Sequence, residues 1–280
     1  MKKLLALALA ALMVVGMTAC GSKEETYANR LEKIKAQGYI TVAISPDFGP
    51  YEFIDPTKTG DDQVVGCEVE FAKYVAEYLG VELKIEQMDF STCQAAVTAG
   101  NVDFSASGYA PTPTRAETME LSTPYVWENN EGNPEQVTVV LKADADKYQT
   151  AEDFAGLTVA AQNGSLQWNL VEDQLPDDVT LEPISSLADG IMLVISGKVD
   201  AMACAYDTAV QYCQNYDSIA VSPFAFEYES VGNVALVQKG EVELVNAINE
   251  AIRKAAEEHL FAQWRRDAMA LAEELNIDFD

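Results

Sequence analysis

The segment GNVDFSAS (100–107) recurs later in the chain as GKVDAMAC (197–204), each copy following an apolar stretch of helical spacing. One short match of this kind arises by chance. What constrains the fold is that both copies sit at the same place in the same order of elements. Before the first copy, ITVAIS (40–45) is β-branched and strand-like. Val69, Ala72, Val75, Ala76 and Leu79 then keep helical spacing up to Gly80, and VELKIEQM (81–88) alternates apolar with polar residues. Ser91 is placed to cap a helix running through Ala99. Before the second copy come LTVAAQ (157–162), a helix from Leu166, the strand VTLEPI (179–184) and a helix from Ser186 to Ser196. Strand–helix–strand–helix–strand predicts a parallel sheet with helices on its faces, and its return predicts a duplicated lobe.

The expected fold is therefore α/β: two similar lobes, each a mostly parallel sheet flanked by helices, joined by a two-strand hinge near Gln136–Leu141 and Asn233–Gln238. A length of 280 residues gives each lobe enough chain for its own core. The expected division is 38–135 with 235–280 for lobe 1, and 136–234 for lobe 2. The amphipathic stretch 241–259 carries Val245, Ile248 and Ile252 on one face and is expected to pack on a lobe.

Charge removes several functions. Eighteen Lys and Arg face 45 Asp and Glu, a net charge of −27 that would repel phosphate backbones, so no nucleic-acid partner is expected. A single histidine, His259, leaves little room for His-based catalysis or His-rich metal sites. No GxSxG, P-loop or HExxH pattern occurs, and neither a metal nor a cofactor is implied.

Residues 1–19 read as an export signal, with Lys2 and Lys3 ahead of an apolar run from Leu4 to Val15. The run is short for a membrane span and ends in MTACGS (17–22), which resembles a bacterial lipoprotein signal with lipidation on Cys20. That resemblance implies more than one acyl chain, enough for stable anchoring at the extracytoplasmic face of the membrane. Residues 20–37 would be the tether. Cys67, Cys93, Cys204 and Cys213 allow three complete pairings, but most sit in apolar contexts where a free thiol behaves as a small hydrophobe.

Open parallel sheets bind ligands beyond the carboxyl ends of their strands, so the loops at 45–52, 107–115, 163–167 and 205–208 are the ones that can line a cleft. These loops carry a family resemblance. SPDFGPYEFID (45–55), VVGCEVEFAKYVAEYLGVEL (64–83), MDFSTCQAAVTAGNVDFSASGYAPTPTR (88–115) and LSTPY (121–125) are similar to the first lobe of bacterial amino-acid solute-binding proteins. EDFAGLTVAAQNGSLQ (152–167), SGKVDAMA (196–203) and VALVQKGEVELVNAINEAI (234–252) are similar to the second lobe and the return. The resemblance implies the type II periplasmic-binding-protein fold. It also implies a monomer that captures an amino acid or related carboxylate and delivers it to the permease of an ATP-driven importer.

It assigns roles as well. Arg115 would bind the ligand carboxylate, Ser107 and Gly108 would offer a hydroxyl and close backbone approach, and Phe48 and Phe90 would flank the ligand side chain. Gly164 and Ser165 would form the facing loop, next to Leu166; Tyr109, read from its place near a strand end rather than from the resemblance, could add a ring to the pocket. Three positions depart from the family pattern: Ala110 and Leu166 lack its hydroxyls, and Ala205 stands where an aspartate would meet the ligand ammonium. Asp207 is then either the replacement counter-charge or a helix N-cap. Stripped of polar partners and lined with rings, such a pocket predicts a neutral or aromatic ligand; Trp127 and Tyr206 could add further rings. A cyclohexadienyl-dehydratase-like enzyme and a ligand sensor are the alternatives on the same fold.

Overall fold

The computed structural model describes residues 26–127 and 135–277, so the expected leader and Cys20 lie outside the described residues. The first lobe runs through α1 (Arg30–Gln37), β1 (Tyr39–Ile44), β2 (Phe53–Ile54), β3 (Val64–Val65), α2 (Cys67–Leu79), β4 (Glu82–Gln87), α3 (Phe90–Thr98), β5 (Phe104–Ser105), α4 (Pro113–Thr118) and β6 (Met119–Leu121). The second holds β7 (Gln136–Leu141), β8 (Thr158–Gln162), α5 (Leu166–Gln174), β9 (Thr180–Ile184), α6 (Leu187–Ile195), β10 (Ala201–Ala205), α7 (Tyr206–Asn215) and β11 (Ile219–Ala225). The chain then returns to the first through β12 (Leu236–Gln238), α8 (Val242–Glu257) and α9 (Leu260–Glu274).

The two sheets have the same plan, β4-β1-β5-β12-β6 and β9-β8-β10-β7-β11. In each, the first three strands are parallel and the fourth is antiparallel to both of its neighbours. That reversed strand, β12 or β7, is the one that enters its sheet from the other lobe. Ile40, Val42, Ala43 and Ile44 of β1 are all fully buried, as are Ala201 and Met202 of β10, as expected of inner strands covered on both faces.

The repeated Val-Asp motif has a structural job. Asp103 Oδ2 accepts from the Thr41 amide at 2.6 Å and the Thr41 hydroxyl at 2.8 Å, and Asp200 Oδ2 accepts from the Thr158 amide at 2.8 Å. Each aspartate clasps the entry of the third strand to the start of the first. The same contact at the same place in both lobes is the three-dimensional form of the repeat.

Several boundaries differ from the sequence reading. Asp89, not Ser91, caps α3: its carboxylate accepts from the Thr92 amide, and Ser91 lies inside the first turn donating to it. Residues 30–37, read as tether, form a helix seated on lobe 1. Asn29 caps it, Gly38 ends it at φ 80°, Ile34 is buried, and Arg30 pairs with Asp103. The expected hinge strands are inner strands of the sheets. The crossing lies just outside them, where Tyr125 and Asn233 exchange backbone hydrogen bonds of 2.9 and 2.8 Å. Helix α8 buries Leu244, Val245, Ile248, Ala251, Ile252 and Ala255 in the first-lobe core, as its periodicity predicts.

Candidate ligand-binding site

A cleft of about 490 Å³ opens between the lobes at the carboxyl ends of the central strands. Lobe 1 lines it with Asp47, Phe48, Tyr51, Phe90, Ser107, Gly108, Ala110, Arg115 and Trp127, and lobe 2 with Gln162, Ser165, Leu166, Gln167, Ala205, Tyr206 and Asp207. The crossing segments add Glu135, Tyr228 and Glu229.

Arg115 is the electrostatic centre. Thr112 caps the short helix α4 that carries it, and the arginine is only 4% exposed. Its guanidinium donates to Gln94 Oε1 (3.1 Å), the Ala110 carbonyl (2.6 Å) and the Gly164 carbonyl across the cleft (2.8 Å). All three acceptors are neutral. Among the described residues no carboxylate pairs with it, and burial pulls its pKa down to about 10, which still leaves it charged at neutral pH. Five N–H groups less three donated leaves two for an anion. The Phe90 and Tyr109 rings lie under the guanidinium at 5.5 and 5.0 Å.

The floor of the pocket is tightly determined. Gly108 has φ 62°, and a Cβ there would lie 2.7 Å from Phe48 Cε1, so the ring can rest on this loop only over glycine. Phe48 is itself backed by Tyr51, stacked at 4.7 Å. The Ser107 hydroxyl accepts from the Ser45 amide at 3.0 Å, and the Gly108 amide donates to Glu68 Oε1 at 3.1 Å. Both groups expected to meet the ligand are therefore already engaged by the protein.

Asp47 bridges to the other lobe. One carboxylate oxygen accepts from Gln162 Nε2 (3.1 Å) and from the Leu187 amide at the start of α6 (3.2 Å), while the other accepts from the Ser45 hydroxyl (2.9 Å). Burial raises the Asp47 carboxyl above its ordinary pKa, against these hydrogen bonds, which pull it down. Asp207 lies 3.9 Å from Arg265 on α9, a third link between lobes.

Of the residues singled out from sequence, Phe48, Phe90, Ser107, Gly108, Arg115, Ser165, Leu166 and Asp207 come together on the cleft wall. Two do not. Tyr109 is fully buried behind Phe90, its hydroxyl 2.9 Å from Ser105 Oγ, because the αL turn at Gly108 sends the next side chain inward. Gly164 is off the wall, and its carbonyl takes Arg115 and Gln94. Ser165 does cap α5, through the Trp168 amide. Asp207 is not an N-cap; Ala205 holds that position, and Asp207 lies in the first turn of α7.

Sequence reasoning missed Asp47, Gln94, Gln162, Glu135, Tyr228 and Glu229. Asp47, Gln94 and Gln162 sit inside the quoted family segments, a signal that was present; the others lie at the crossing, outside any motif.

Similarity to known proteins agrees with this geometry. The sequence pattern of the bacterial extracellular solute-binding proteins, family 3, matches residues 40–267. The chain is 29% identical over 257 residues to the arginine-binding extracellular protein ArtP of Bacillus subtilis, covering 91% of this chain and 92% of ArtP. It is 27% identical over 251 residues to the L-cystine-binding protein TcyJ of Escherichia coli, covering 88% of each. The crystal structure of the amino-acid ABC transporter substrate-binding protein AbpA from Streptococcus pneumoniae, bound to L-arginine, superposes with a TM-score of 0.75 at 30% identity, covering 88% of this chain and 99% of AbpA. With two lobes of one strand plan, a cleft between them and a match over most of its length, the chain belongs to the bacterial extracellular solute-binding proteins, family 3.

Proposed function

We propose that this protein captures an amino acid at the extracytoplasmic face of the membrane, held there by lipid on Cys20, and delivers it to the permease of an ATP-driven importer. The observation that carries the reading is Arg115: a buried cation on the cleft wall whose described partners are all neutral. A buried charge without a counter-charge is costly, and a ligand carboxylate supplies one through the two free N–H groups. Asp207 is the acid we assign to the ligand ammonium in place of the residue missing at Ala205. Its 3.9 Å separation from Arg265 leaves lone pairs for a second donor.

The side chain of the ligand is argued from the walls. The loss of polar partners at Ala110, Leu166 and Ala205 favours a neutral or aromatic ligand. The assembled pocket adds carboxylates that no motif contained. Glu135 and Glu229 line it and pair with no cation among the described residues. With the aromatic faces of Phe48 and Phe90 beside them, these acids favour a cationic side chain, held by charge and by cation–π attraction. Arginine binding by ArtP and AbpA points the same way. We place a cationic amino acid first and a neutral or aromatic one second.

Binding rather than catalysis is the better reading of the acids. Asp47 already accepts three hydrogen bonds, from Ser45, Gln162 and Leu187, which leaves it poorly placed to move a proton. A thermal-shift screen of all amino acids and related carboxylates tests the function, because a ligand that binds only the native state raises the melting temperature. L-arginine and L-lysine are expected to give the largest shifts. Larger shifts for phenylalanine or leucine would select the second ligand class, and no shift with any of them would remove the amino-acid reading.

A further inference from the structure

Beneath the cleft floor lies a pair of acids that ligand binding as described above does not use. Glu52 is 1% exposed and Glu68 fully buried. Each holds one residue of the ligand loop: Glu52 accepts from the Ser107 hydroxyl, and Glu68 Oε1 accepts from the Gly108 amide at 3.1 Å. Glu68 Oε2 also accepts from the Tyr125 hydroxyl at 2.8 Å, which ties the pair to the crossing. Glu52 Oε2, by contrast, is buried with no partner.

Among the described residues, the hydrogen-bond donors to these two carboxyls are all neutral: Ser107, Gly108 and Tyr125. Asp47, on the loop before Glu52, adds a third negative charge. Cys67 and Cys93 contribute thiols from α2 and α3, and Tyr109 and Tyr125 contribute phenols. Arg115 bears on the Tyr109 phenol and Arg265 on the Cys67 thiol. Two buried anions side by side without a cation are far more costly than one. An unpartnered oxygen on an ionised carboxylate is also much worse than one on a neutral acid.

We infer that Glu52 and Glu68 hold one proton between them, and that the pair, relieved of one of its two charges, is what positions the Ser107–Gly108 loop under the ligand. The proton belongs mainly to Glu52. Both oxygens of Glu68 already accept a hydrogen bond, which favours its ionised form, whereas Glu52 has one oxygen with no donor. The shifts run the same way: burial pushes Glu52 well above the usual carboxylate range, with Glu68 adding to it, and burial pushes Glu68 up to about 7. The two titrate as a unit. Both are positioning residues, since neither touches the cleft.

The sign follows from linkage. The folded state keeps a proton that the unfolded chain releases near pH 4.3, so stability falls as pH rises from there toward the folded-state values. Glu52→Gln replaces the protonated acid with a neutral isostere. Between about pH 5.5 and 8.5 the folding equilibrium of the wild type should weaken relative to Glu52→Gln by up to about tenfold per pH unit, so the variant melts higher at the alkaline end. Carbon-13 NMR of the glutamate carboxyls in the unaltered protein should show one of them still protonated at neutral pH. Parallel melting profiles for the two proteins, or carboxyls that all titrate in the ordinary range, would overturn the shared proton. The positioning role is read with L-arginine as probe: its affinity should fall at least about threefold from pH 6 to 8.5 in the wild type and stay level in Glu52→Gln. An equal fall in both would overturn positioning. This last arm alone rests on the proposed ligand site. If L-arginine binds neither protein, that site is at fault, and amide exchange at Gly108, faster at high pH only in the wild type, decides the positioning role instead.

Discussion

At the residue scale, the proposed function rests on Arg115, and the sequence supplied only half of the reason. The position within a Pro- and Thr-rich loop, together with the family segment around it, is why we propose it as the carboxylate binder. The neutrality of its partners, Gln94, Ala110 and Gly164, was invisible in the sequence, because they come from three separate segments. Arg115→Ala should abolish most binding of carboxylate ligands while leaving the protein folded. Losing hydrogen bonds to a charged group costs roughly 1.5–3 kcal/mol, about ten- to a hundredfold in affinity. Calorimetry with the best ligand of the thermal-shift screen measures it, and an unchanged dissociation constant would move the carboxylate site elsewhere.

At the scale of elements, the repeated motif turns out to be a clasp and not a site. Asp103 and Asp200 do the same job in the two lobes, but their surroundings differ. Asp103 is 2% exposed, accepts from both the amide and the hydroxyl of Thr41, and pairs with the part-buried Arg30. Asp200 is exposed and accepts from the Thr158 amide alone through its side chain. Removing Asp103 takes the carboxylate partner from the part-buried Arg30 and the acceptor from the part-buried Thr41 amide, so Asp103→Ala should cost about 1.5–3 kcal/mol. Asp200→Ala should cost only about 0.5–1.5 kcal/mol. Urea unfolding of both variants gives the comparison, and equal losses would show that the burial difference does not govern the clasp. The helix α1 teaches a related lesson: eight mostly polar residues with one buried isoleucine look like a tether until Asp103 is there to receive Arg30.

At the scale of the molecule, polar contacts among the described residues that join the lobes around the cleft include Asp47 with Gln162 and Leu187, Arg115 with Gly164, and Asp207 with Arg265. A ligand held by both walls biases the hinge toward this arrangement in proportion to its preference for it. The proposed lipid anchor would keep the molecule near the bilayer that holds its permease. If Cys20 carries lipid, Cys20→Ser should shift the protein from the membrane to the soluble fraction, and unchanged membrane association would refute the anchor. None of the described helices is long and apolar enough to span a membrane.

What the sequence determined by itself is what local periodicity and capping encode. Two copies of strand–helix–strand–helix–strand follow from patterns of period two and 3.6, bounded by Gly80, Ser165 and Ser186, and both sheets share one strand order. The family segments then put most of the cleft wall within reach. The tertiary structure alone decided which way strand-end side chains face and which distant acids meet. Tyr109 turned inward behind Phe90, Asp207 joined α7 beside Arg265, and Glu52 and Glu68 were brought under one loop. The physical reason is that facing and pairing depend on packing between elements far apart in the chain. Periodicity within one element fixes its own buried side but carries no record of what will lie against it.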